Sequence, residues 1–420
     1  MSTPATASAR AAARLLPPQA RAATWRLPRL SKRAAFYLQA SIILFFLAGS
    51  SAPTPLYALY QAAWGFSPIT ITVVFGIYAL AVLAALLVFG GLSDYVGRRP
   101  ILLGATLLQA VTMAIFATAH GVGALVLARV IQGLSTGAAA GAVGAGMLDL
   151  DRAKGTVANA VGPMLGTATG AITSGLMVVF LPAPTVLVYL LLGTIFLVQA
   201  LGVAAMPESV TPRPGALASM RPQFHLPAHA RVPMLLAVPA LVAAWSLVGF
   251  YGSLGPTLVR RLVGSSSPAL GGLVLFAMAG SGALAVLLTR RRSARFLTLF
   301  GTTALMLGVA ITLLAIARAS VGILFVGTAV AGVGFGGAFQ GAIRSVIPLA
   351  APHQRAGVLS VLYVVAYLAM GAPAVVAGLG VVHGGGLLVT AREYGLAVIA
   401  LAGAALLGTL LRRSTEAKSL

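Results

Sequence analysis

The sequence predicts an all-α membrane protein, with twelve transmembrane helices in two pseudo-symmetric six-helix bundles. Three observations carry that prediction. Of 420 residues, 59% are hydrophobic and only 8% charged, with a mean hydropathy of +0.99. A water-soluble domain carries about 25% charged residues, so lipid must be the solvent over most of this surface. The apolar residues also fall in long runs. A spanning helix needs about 20 of them, whereas a barrel strand needs about 9–11 in alternation. Finally, the basic residues recur in every second gap between the runs, as a chain threaded repeatedly through a bilayer requires.

Residues 1–33 are rich in Ala, Arg and Pro and hold no acid. An organellar transit peptide has this composition, and so does the cytoplasmic tail of a bacterial membrane protein. No small-residue cleavage site follows a secretory-type apolar core, so the segment reads as a disordered basic N-tail. Spans follow near 35–60, 69–92, 100–118, 122–147, 156–181 and 185–205, which place one bundle over 34–205. Segment 206–232 contains Pro207, Pro212, Pro214, Pro222 and Pro227, and reads as a cytoplasmic linker rather than a domain. Six more spans follow near 233–259, 268–289, 295–317, 321–346, 356–381 and 390–411, a second bundle over 233–411. The last opens on Arg392 and Glu393. Residues 412–420 are left as a cytoplasmic C-tail.

All of the 28 Lys and Arg residues except Arg129, Arg260, Arg261, Arg318 and Arg392 lie in the two tails or in every second gap. The positive-inside rule therefore predicts both termini in the cytoplasm, and the expected location is the inner (plasma) membrane, crossed many times. On a soluble protein a net charge of +22 would suggest nucleic acid. Here the charges sit at the ends of apolar runs, and no nucleic-acid partner is expected. Cysteine is absent, and the five histidines fall in loops or at helix ends without metal-ligand spacing, so neither a metal nor any other cofactor is expected.

Between spans 2 and 3 lies Gly90-Gly91-Leu92-Ser93-Asp94-Tyr95-Val96-Gly97-Arg98-Arg99. Gly90 and Gly97 allow a sharp turn and close helix approach. Asp94 is placed to meet the positive N-terminal end of a neighbouring helix. Arg98 can reach an acid at the inner end of span 4, where Asp149 and Asp151 lie. Arg98 and Arg99 would satisfy the positive-inside rule even with no further role. The stretch has the form G-x-L-S-D-x-x-G-R-R and resembles the helix 2–3 loop signature of the major facilitator superfamily of secondary transporters. Tyr95 stands where a basic residue is common. The resemblance implies alternating access, a substrate site between two similar halves near the midplane, and a role for Gly90, Asp94, Gly97, Arg98, Arg99 and Asp149 in latching the cytoplasmic gate.

Span 4 carries Arg129-Val130-Ile131-Gln132-Gly133. A lone arginine in a span costs at least about 2.5–3.5 kcal/mol on insertion scales, so Arg129 must face the protein interior or a wet cavity. It either ties backbone carbonyls together or serves the transport cycle. The family has a similar R-x-x-Q-G element with roles in coupling and gating. Gly133, Gly137 and Gly141, and in span 5 Gly162, Gly166 and Gly170, form smooth stripes for close helix packing. Gly162-Pro163-Met164-Leu165-Gly166 is similar to the helix 5 signature of the superfamily's exporters, with Thr167 where a second glycine is usual.

In the family, helices 1, 4, 7 and 10 line the central cavity. The resemblance thus marks Gln39, Arg129, Gln132, Trp245, Tyr251 and Gln340, with Tyr367 one turn beyond Tyr363 in span 11, as cavity or coupling residues. Each of these polar residues could equally satisfy a neighbour. A faint repeat pairs Thr54-Pro55 with Gly255-Pro256-Thr257, Arg98-Arg99 with Arg290-Arg291-Arg292, and Gln132-Gly133 with Gln340-Gly341 at a different depth. Only six acids exist and none lies at mid-span, so a coupled proton would have to travel on the substrate or through a rim acid such as Asp149. With Arg129 and no carboxylate at mid-span, the expected partner is a small neutral or anionic, partly apolar organic molecule, moved by a monomer. An importer, a facilitator or a non-transporting sensor is the alternative. The spans offer no nucleophile-and-base pair for an enzyme.

Overall fold

The computed structural model describes residues 29–264, 269–351 and 354–418, with side chains through Leu411. Among them, twelve helices are long and apolar enough to cross a membrane. They are α1 (Lys32–Trp64), α2 (Pro68–Phe89), α3 (Arg98–Ala117), α4 (Val122–Leu150), α5 (Arg152–Phe180) and α6 (Pro184–Ala205), then α7 (Ala228–Ser253), α8 (Ala269–Thr289), α9 (Ala294–Arg318), α10 (Val321–Val346), α11 (Arg355–His383) and α12 (Leu387–Lys418). The end holding the α2–α3 loop and residues 206–227 is called the basic end below, and the other the distal end.

Local chemistry sets the helix ends. Ser31 accepts the Ala34 N–H, so α1 starts at Lys32 and takes in Lys32 and Arg33, which the sequence reading left in the tail. Residues 1–28 of that tail, His353, residues 419–420 and the side chains of Arg412, Arg413, Glu416 and Lys418 lie outside the described residues. Helix α7 begins directly after Pro227, inside the expected linker. Helix α12 runs on to Lys418, through most of the expected C-tail. Pro68 and Pro184 stand in the first helical turns, where a missing N–H costs nothing.

The helices pack as two groups. One core cluster is drawn wholly from residues 35–206, with Phe46, Phe116, Tyr189 and Phe196 at its centre. A second is drawn from residues 243–402, joined by Val161, Met164 and Ala171 of α5. The two groups meet where α2 lies on α11 and α5 on α8. Phe75 and Ala79 of α2 pack there with Met370 and Ala374 of α11. Thr54 Oγ1 donates to the Gly252 carbonyl at 3.2 Å, and no other hydrogen bond joins the groups among the described residues.

The internal repeat is visible in the breaks of the first helix of each group. Helix α1 is interrupted at Ala52, between Ser51 and Pro53, and α7 at Leu254, between Ser253 and a short helix Gly255–Val263. In α4, Gly133 and Gly137 lie on the α2 backbone; in α10, Gly332 and Gly336 lie on α8. The repeat partner of Gln132-Gly133 is therefore Ala331-Gly332. The expected partner, Gln340-Gly341, is out of register, since Gly341 abuts Thr298 of α9. In the same register Thr328 stands in the place of Arg129.

Candidate functional site

The loop between α2 and α3 makes one short helical turn, Ser93–Val96, and then passes through Gly97 at φ 102°. Arg98 is buried there. It ion-pairs with Asp94 and, from Nε, with Asp149 Oδ2 at 3.3 Å, while its NH1 donates to Ser93 Oγ at 2.6 Å. Asp149 Oδ2 also accepts from Ser209 Oγ at 3.3 Å. Of the two acids within expected reach, Asp149 is the partner. Asp151 instead caps α5 by accepting the Lys154 N–H at 3.0 Å, and that bond together with the Lys154 ammonium holds its carboxyl below the usual range.

Asp94 does not meet a neighbouring helix terminus as expected. Glu208 does. Its carboxylate accepts the Arg98 N–H at 2.8 Å and the Arg99 N–H at 2.9 Å, the first orphan donors of α3. It also accepts from the N–H groups of Ser209 and Val210. Gly97 makes the room, because a Cβ at that position would stand 2.5 Å from Glu208 Oε2. The Arg99 guanidinium donates to the Ala204 carbonyl, closing the loop onto the end of α6. Arg213 stacks its guanidinium 4.5 Å from the centre of the Tyr95 ring, and its N–H donates to the Tyr95 carbonyl at 2.9 Å. The aromatic side chain at position 95 thus recruits a cation from the following segment. Every partner in this constellation belongs to α2–α4, the end of α6 or residues 208–213. At Gly90 the loop backbone lies against Gly141 of α4.

Arg129 is fully buried inside the first group, enclosed by residues of α1, α2 and α3. Its guanidinium donates to Tyr57 Oη at 2.9 and 2.6 Å, to the Ser50 carbonyl at 2.8 Å and to Gln132 Oε1 at 2.7 Å. Tyr57, Tyr78 and Phe116 present their rings 5.2–5.7 Å from it. Gln132 in turn donates to the Gly49 carbonyl at 3.0 Å. No acid is among these partners. The cation is held by carbonyl and hydroxyl dipoles and by π faces, as a desolvated arginine requires.

Three further cavity candidates are also buried. Gln39 is buried near the basic end, with Nε2 3.4 Å from Met206 Sδ. Tyr251 is buried within the second group, its hydroxyl within 3.2 Å of Thr312 Oγ1 and 3.1 Å of Thr328 Oγ1. Gln340 is buried one turn beyond Gly336, on the side of α10 that meets α8. Trp245 and Tyr367 do reach the seam, where both pack on the α2–α11 cluster. The glycine stripes lie against neighbouring helices. Gly166 and Gly170 lie on the α1 backbone, Gly162 meets Ile43, and Pro163 sits within α5.

A family model for the Major Facilitator Superfamily matches residues 40–375. The chain belongs to the major facilitator superfamily. Solved structures of similar fold agree. A bacterial homologue of the human lysosomal transporter Spinster, in an inward-facing and unoccupied conformation, matches with a TM-score of 0.72 at 13% identity, over 90% of this chain and 97% of that one. The nucleoside transporter NupG matches with a TM-score of 0.63 at 13% identity, over 91% and 98%. The human organic anion transporter MFSD10 matches with a TM-score of 0.64 at 19% identity, over 91% and 100%.

For a chain of this superfamily, the loop signature was readable in the sequence and its cap was not. Glu208 is the single acid between residues 206 and 232, immediately after α6. That isolation, next to Pro207, was the available signal. The aromatic partners of Arg129 come from α1, α2 and α3, and no local pattern joins them.

Proposed function

We propose that this chain is a secondary active transporter that moves a small neutral or anionic organic molecule by alternating access between its two six-helix groups. The observation that carries the reading is the seam. Among the described residues the groups meet through small and apolar residues and the single Thr54–Gly252 hydrogen bond, so they can rock apart without breaking a polar network. The α2–α3 constellation lies to one side of that seam, at the basic end, where it braces one group and can govern closure. Export is favoured over import by the Gly162-Pro163 element. The basic end faces the cytoplasm in this reading, with both termini on the cytoplasmic side of the plasma membrane, residues 206–227 as the linker and the monomer as the working unit. Any proton would travel with the substrate or through a rim acid such as Asp149, because the described acids lie outside the middle of the helices. Protein-dependent flux of organic anions and neutral solutes into or out of proteoliposomes, compared with empty vesicles, tests the reading. Absence of flux across a broad panel, with folded protein in the vesicles, refutes it in favour of a non-transporting sensor.

A further inference from the structure

The seam carries an aromatic group that neither the loop constellation nor the Arg129 network uses. Trp245 of α7 stands edge-on to Phe335 and Phe339 of α10, with ring centres 6.0 and 5.3 Å away and interplanar angles of 76° and 78°. Tyr367 of α11 lies 5.3 Å from the same indole, with Tyr363 a further 6.3 Å on. All but Phe335 are partly exposed, and each sits well inside its helix. Trp245 and Tyr367 pack on the cluster shared with Phe75 and Ala79 of α2, so the group looks toward the first six helices.

The polar atoms of this group are unmet. Trp245 Nε1 is buried and has no hydrogen-bond acceptor among the described residues. The Tyr363 and Tyr367 hydroxyls likewise make no hydrogen bond to a described residue. An unpaired buried donor is destabilising, so such donors are rare in interiors built only for packing. A site shaped to receive an acceptor atom from a ligand leaves its own donor unpaired in the free protein and rejects analogues that lack that atom.

Charge narrows the ligand further. Aromatic faces alone would also suit a cation. Tyr78 of α2, however, lies close enough to Tyr367 to interact with it electrostatically and has the Arg129 guanidinium 5.2 Å from its ring, and no acid pairs with that guanidinium among the described residues. A cation would meet a like charge and would leave the indole N–H unsatisfied. A flat uncharged ring bearing an acceptor satisfies the rings, the N–H and the field together.

The geometry points to Trp245, Phe339, Tyr363 and Tyr367 as a substrate subsite for a planar, uncharged heteroaromatic molecule, whose acceptor atom takes the Trp245 N–H. This inference rests on the transport reading above. Its test is equilibrium binding of tritiated quinoline to the purified full-length protein in nanodiscs. Naphthalene, which keeps the two-ring outline without the acceptor, and N-methylquinolinium, which adds a charge, serve as competitors. Quinoline should bind saturably, and both competitors about tenfold more weakly, the worth of one buried hydrogen bond. Trp245→Phe should lower quinoline affinity to the naphthalene level and leave naphthalene unchanged. Tyr367→Ala should weaken both.

Equal affinity for quinoline and naphthalene in the unaltered protein overturns the inference whatever the variants do, as does preferential binding of the cation. Protein-dependent flux of other solutes with no Trp245-dependent quinoline binding also overturns it, and leaves the transport reading standing. Trp245-dependent binding without flux of any solute upholds the subsite and refutes transport.

Discussion

Replacing Gly97 with alanine tests how the loop constellation is built. Gly97 sits at φ 102° and ψ 155°, a region that side chains rarely adopt and that costs about 1–3 kcal/mol. The new Cβ would stand 2.5 Å from Glu208 Oε2 and 2.9 Å from its Cδ, so the carboxylate must leave. Its departure removes the acceptor of the Arg98 and Arg99 N–H groups, a cap worth about 0.5–2 kcal/mol. Gly97→Ala should therefore destabilise by about 1.5–5 kcal/mol, and Glu208→Ala by about 0.5–2 kcal/mol. In the double variant the cap is counted once, so the combined loss should fall short of the sum by about 0.5–2 kcal/mol. Glu208→Gln, which keeps an acceptor oxygen, should cost less than Glu208→Ala. Unfolding in mixed micelles, followed by circular dichroism, measures all four proteins. Losses that add to within about 0.3–0.5 kcal/mol would refute the claim that Gly97 exists to admit Glu208.

Arg129→Met removes the donor of the Ser50 carbonyl, Tyr57 Oη and Gln132 Oε1 together, and should destabilise by about 1–3 kcal/mol for each buried group left unpaired, seen as loss of monodisperse protein on gel filtration; wild-type stability would show that the network is not structural. Asp94→Asn removes the carboxylate charge that pairs with Arg98 without touching the seam, so it should slow transport strongly while ligand affinity stays within about twofold. A variant with normal turnover and much weaker binding would contradict that division of labour. The chain has no cysteine, so single cysteines at the exposed positions Ser67, His120 and His383 should react with an impermeant maleimide in intact cells, and one at Gly215 should not. Labelling at Gly215 would sink the proposed orientation.

Much of the architecture needed no tertiary information. The twelve helices, their order and the loop signature follow from hydrophobic run length and from local motifs, because a chain in lipid must satisfy its backbone within each span. The positions of polar side chains around a helix axis did not follow. Arg129, Gln132, Gln39 and Tyr251 were read as lining a cavity because they are polar and lie in the right helices. The structure turns them inward, since Tyr57 and the Ser50 carbonyl lie on α1, and Thr312 and Thr328 on α9 and α10, and only packing brings these to their partners. Likewise the loop sequence predicts that Asp94 meets the positive N-terminal end of a neighbouring helix. Glu208, more than a hundred residues away, takes that place because α6 ends beside Gly97. The sequence by itself determined which segments cross the membrane and which loop carries the signature, since both are properties of contiguous residues. Which face each helix turns to its neighbours, and so which aromatic residues gather at the seam, was decided only by the tertiary structure, because hydrogen-bond and packing partners there come from helices far apart in the chain.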